Sequence, residues 1–227
     1  MKKLLSTLFI ACSVLLTQAQ TGDKFTETMT KTLADMDTVK TGDGMMGFAN
    51  KFERIALAEK TQWLPFYYAS LCRTTAAFMY NDATKFDAMM DVAEKHCKVA
   101  DSLSPTNSEI MVLQSMILSG RIMVDPMSRG QMYGMQAMMY MQKAMTVDPT
   151  NPRAYFMMGQ SLFFTPPQFG GGQESGCAMM QTAKDLYATH VPKSPIHPSW
   201  GEDQVDEMLL KCPKNDTENT PETPEKE

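Results

Sequence analysis

The run Asp148-Pro149-Thr150-Asn151-Pro152-Arg153-Ala154-Tyr155-Phe156-Met157-Met158-Gly159 closes one long apolar-periodic segment and opens another. Proline cannot continue a helix interior, and a Pro/Asn/Thr cluster between periodic segments marks a turn. Upstream, the segment ends in Lys143-Ala144-Met145-Thr146-Val147. The pattern recurs 44 residues earlier, where Val99-Ala100-Asp101-Ser102-Leu103 runs into Ser104-Pro105-Thr106-Asn107. One more step of the same length reaches Lys60-Thr61-Gln62-Trp63, again between two periodic segments.

Periodicity is helical almost throughout, and strand patterns are nearly absent. Helices are expected at about 24–38, 44–60, 65–79, 83–102, 107–123, 128–147, 152–164, 172–189 and 201–211. Breaks fall at Asn81-Asp82, Ser104-Pro105, Asp125-Pro126, Asp148-Pro149 and Gly170-Gly171-Gly172. Three helix pairs result, at about 61–103, 105–147 and 149–189. A single pair cannot hide its apolar face, so such units stack and share a continuous core.

Ala144 to Gly159 resembles the junction between tetratricopeptide repeats, in which an Asp-Pro-x-Asn turn leads to an aromatic and a small residue on the next helix. The resemblance is strongest over 99–189, although the 44-residue period exceeds that family's. It implies an all-α, right-handed stack of antiparallel helix pairs, with N-terminal helices before it and a capping helix after it. It also implies a concave surface, lined by the first helix of each pair, that takes a protein or peptide partner. Tyr67, Arg73, Arg121, Arg153 and Tyr155 are the expected anchors there, since Arg and Tyr dominate interface energetics. An exported interaction or scaffolding module is the leading expectation. The alternative is a small-ligand or transport-associated binding protein with an internal apolar pocket.

Met1-Lys2-Lys3, the apolar run Leu4 to Leu16 and Thr17-Gln18-Ala19 read as a secretory signal peptide over 1–19. The remaining domain, 20–212, is thus expected to be periplasmic or secreted. Phe9-Ile10-Ala11-Cys12 loosely resembles a lipobox, but the apolar run continues past Cys12 as Val14-Leu15-Leu16. From 213 to 227 the chain has no large apolar residue and reads as an acidic, disordered tail. With 21 basic against 26 acidic residues and no basic patch, nucleic-acid binding is excluded on charge. No later segment is long and apolar enough to span a bilayer.

Cleavage would leave Cys72, Cys97, Cys177 and Cys212. If helices 172–189 and 201–211 fold back about a linker centred near residue 194, Cys177 and Cys212 come opposite each other. A disulfide there would cap the stack and contribute about 3–4 kcal/mol. About the turn near Asn81, Cys72 and Cys97 are offset by roughly 10 Å along the helix, too far to bond. They are expected free and buried.

Twenty-three methionines are present, twelve of them between Met111 and Met158. Exported thioether clusters can hold Cu(I). On a helical wheel Met132, Met135 and Met139 share one arc, while Met138, Met141 and Met145 share another. Apolar residues nearly all round suggest instead a mid-stack helix with Met as core filler. No metal or cofactor is therefore expected. Gly170-Gly171-Gly172 lacks the Lys and Ser/Thr of a phosphate loop. His96, His190 and His197 fit no catalytic pattern, so no enzyme is expected.

Overall fold

The computed structural model describes residues 24–213. The expected signal peptide, Cys12 and the tail from 214 onward lie outside that range. Within it every regular element is helical: α1 (24–36), α2 (Gly42–Ala58), α3 (Trp63–Tyr80), α4 (Ala83–Leu103), α5 (Ser108–Ile122), α6 (Pro126–Val147), α7 (Pro152–Phe164), α8 (Gln173–Tyr187) and α9 (Glu202–Leu209).

Caps set the boundaries. The side chains of Thr41, Asp82, Asn107, Asp125 and Asn151 each accept a hydrogen bond from a backbone N–H in the first turn of the following helix. Pro126 and Pro152 occupy first-turn positions, where a missing N–H costs nothing. Asn81 ends α3 with a left-handed φ of 49°, a conformation Asn tolerates better than most residues.

The repeated Pro-Thr-Asn junction also joins the pairs. Asn151 Nδ2 donates to Ser108 Oγ (2.9 Å), and that hydroxyl donates to the carbonyl of Ala144 (3.0 Å). One buried triad thereby ties the start of α5, the end of α6 and the start of α7 together.

Helices α3/α4, α5/α6 and α7/α8 pack as antiparallel pairs, and the first members α3, α5 and α7 are neighbours in a row. Helix α3 is the centre of the larger core, with Leu64, Tyr67, Tyr68, Ala69, Cys72, Ala76 and Ala77 buried against α1, α2, α4 and α5. A second cluster joins α7, α8 and α9 through Phe156, Met180, Ala183, Tyr187, Val205 and Met208. There α7 and α8 meet backbone to backbone: a Cβ on Gly159 would lie 2.8 Å from the Gly176 carbonyl oxygen, and one on Gly176 2.6 Å from the Phe163 nitrogen. Only glycine fits this crossing.

Candidate ligand-binding face

The row α3, α5, α7 is the face expected to be open, and the chain covers it with its own segment. After α8 the backbone runs through Val191-Pro192-Lys193-Ser194-Pro195-Ile196-His197-Pro198-Ser199-Trp200. Ile196 is buried in the larger core, and Trp200 packs against apolar groups of α5, α6 and α7. Tyr68 Oη donates to the Ile196 carbonyl (3.1 Å), Trp200 Nε1 to Tyr67 Oη (2.9 Å) and Tyr187 Oη to the Trp200 carbonyl (2.9 Å).

Arg153 anchors this strap from below. It is only 1% exposed, donates to both Glu109 oxygens (2.6 and 2.8 Å) and reaches the Trp200 carbonyl and His190 Nε2 (3.1 Å). Burial alone would lower the guanidinium's pKa, but the Glu109 hydrogen bonds and charge outweigh it and hold Arg153 protonated. Burial, reinforced by the Glu109 charge, pushes the Tyr67 hydroxyl well above its ordinary value. Burial and the Arg153 charge lower His190.

The five residues expected to line a partner groove therefore do not form one. Tyr67 and Arg153 are sealed under the strap. Half-buried Arg73 turns to Glu53 (3.6 Å) and Asn50. Arg121 lies against α4, within 2.9 Å of Asp91 and 2.6 Å of Glu94. Tyr155 packs beside the α7–α9 cluster. Pairing along the chain gave the row of first helices, but nothing in the repeat pattern showed that a Pro-rich segment 40 residues onward would fill it.

Cys177 and Cys212 are joined (S–S 2.05 Å), fastening the residues just beyond α9 to α8. Cys72 and Cys97 are free and buried, and burial pushes the Cys97 thiol up to about 12.

One uncovered apolar arc lies on α6. Ala137, Met141 and Ala144 face inward, whereas Met132, Met135 and Met139 are 49%, 58% and 54% exposed, and Met127 is 96% exposed. This corrects the reading of the first three as core filler. Helix α6 packs on α5 and α7 and is an outer layer, so one arc is buried and the opposite arc has no helix over it among the described residues. The spacing of 132, 135 and 139 was legible as a single arc; the number of neighbours α6 would have was not.

At the C-terminal half of α6 this arc borders a shallow open depression of about 510 Å³, lined by Met111, Met139, Gln142, Lys143, Thr146 and Val147. The Lys143 ammonium sits 5.6 Å from the centre of the Tyr140 ring. Two thioethers, a valine and one ammonium thus share the depression with the neutral polar side chains of Gln142 and Thr146. No histidine serves this face: His96 leans on Glu53, His190 on Arg153 and His197 on Ser194.

Fold and surface together define an all-helical protein of paired antiparallel helices, with its inner row self-occupied and a thioether-rich outer face. No family model and no curated protein matches the sequence. Among solved structures, the HusA haemophore from Porphyromonas gingivalis is 34% identical, with a TM-score of 0.78 over 87% of this chain and 96% of that one. The chain belongs to the HusA haemophore family. A haemophore is a binder of haem, a small ligand. This similarity overturns the expected protein-interaction scaffold and its protein or peptide partner, and it agrees with the small-ligand alternative. No described helix is long and apolar enough to cross a membrane.

Proposed function

We propose that this chain is an exported, non-catalytic haem carrier. The carrying observation is the similarity to a haemophore along nearly the full length of both chains. The α6 surface supports it. Met111, Met139 and Val147 supply aliphatic and thioether contacts for a porphyrin face, and Lys143 is placed to pair with a propionate. With the three histidines engaged elsewhere, the iron donors that line this depression are the thioethers of Met111 and Met139. Export is supported by the N-terminal signal pattern and by the Cys177–Cys212 bridge, since disulfides persist in oxidising compartments. The helix pairs and their recurring Pro-Thr-Asn junction support a tetratricopeptide-like stack as the scaffold of this carrier.

The test is a haem titration of the mature chain, followed by the shift of the porphyrin absorption band. Saturable binding is expected, weakened about tenfold or more by Met139→Glu with unchanged helicity. A chain that shows no saturable shift, or binds haem no better than an unrelated helical protein, defeats the proposal.

A further inference from the structure

Beyond haem, the outer arc of α6 bears a donor set of its own. Met132, Met135 and Met139 follow at i, i+3 and i+7, within about 60° of one another around the helix axis, and the outer two lie about 10 Å apart along it. Each is roughly half exposed, and none belongs to a core cluster. Each has three rotatable bonds, enough for the flanking thioethers to swing over the central one. The neighbouring polar side chains on the arc, Gln136 and Gln142, are neutral. Of the two cations within a turn of the arc, Arg129 is paired with Asp87 (2.8 Å) and Lys143 sits by the Tyr140 ring. Among the described residues no grouping of His, Cys, Asp or Glu competes as a metal site.

We infer that Met132, Met135 and Met139 form a three-thioether site for a soft monovalent ion, Cu(I). An all-thioether neutral set selects Cu(I) over Zn(II), Mg(II) or Ca(II), which favour imidazole, carboxylate or water. The ion is taken up already reduced, so no electron transfer is involved. Only Met139 is shared with the depression; Met132 and Met135 lie outside it.

The mature chain is titrated with Cu(I) under argon, with ascorbate present, against the chromophoric chelator bicinchoninate. One equivalent is expected to bind. Met132→Leu/Met135→Leu, which keeps volume and helix propensity, is expected to weaken uptake at least tenfold while leaving helicity and haem titration unchanged. The inference is overturned if the natural chain takes no Cu(I) from the chelator, or if the double variant binds it equally well. It is likewise overturned if uptake disappears on Cys72→Ser/Cys97→Ser, which would place the ion on thiols. Because the double variant spares the depression, loss of copper binding and loss of haem binding report on separate claims.

Discussion

The inner row α3, α5, α7 and the outer face of α6 are built from the same helix pairs and have met opposite fates. On the inner row a strap of ten residues supplies the tryptophan, the isoleucine and the carbonyls that satisfy Tyr67, Tyr68, Tyr187 and Arg153. On the outer face four methionines, Met127 among them, remain in contact with water. A residue type that makes a good binding anchor thus becomes structural once covered, and one that makes good core filler is left at the surface once bare. Cover, not residue identity, separates the two roles.

The hardest test of that contrast is Arg153→Ala. It strands the Glu109 carboxylate under the strap, and losing one partner of a buried ion pair costs about 3–5 kcal/mol. Urea unfolding of the variant should show this loss. A loss below about 1 kcal/mol would mean that the strap is not anchored there. The bridge comes next. Cys177→Ser/Cys212→Ser should cost about 3–4 kcal/mol through the freed loop entropy, visible as a lower urea midpoint that reductant no longer moves. Trp200→Phe deprives Tyr67 Oη of its donor and should cost about 1–2 kcal/mol, with haem affinity unaltered. That pairing separates strap from site.

Acid should destabilise the fold. His96, His190 and His197 all have pKa values lowered, chiefly by burial. The unfolded chain therefore takes up protons more readily than the folded one. Stability is complete above the ordinary histidine value near 6.5 and falls as pH drops through it toward the lower folded values. Urea midpoints measured from pH 7.5 to 5 should show this decline, and His190→Gln should flatten part of it. The smallest effect is expected on the outer face. Lys143→Ala should weaken haem binding about fivefold, the scale of an exposed ion pair, without changing the urea midpoint. An equal effect from Arg153→Met in a folded variant would move the ligand to the inner row.

Legibility differed between the two regions for physical reasons. The Asp148-Pro149-Thr150-Asn151 and Ser104-Pro105-Thr106-Asn107 turns are local devices: Asn107 and Asn151 cap the helices that follow them, so their effect could be read from neighbouring residues. Helix α3 was placed within two residues at its start, Trp63 against the expected 65. Arg153 was singled out as an anchor, and its polar partners Glu109 and Trp200 lie 44 and 47 residues away. Nothing local tells whether an arginine meets a partner molecule or its own chain.

The sequence by itself determined that this is an all-helical stack, where its helices begin and end, and which helical arc each methionine occupies, because capping, proline geometry and 3.6-residue periodicity act over a few residues. Only tertiary structure decided which arcs are covered. Burial depends on how many neighbours a helix has and where a distant Pro-rich segment comes to rest. That is a property of the assembled stack, and it sealed the inner row while leaving one arc of α6 in contact with water.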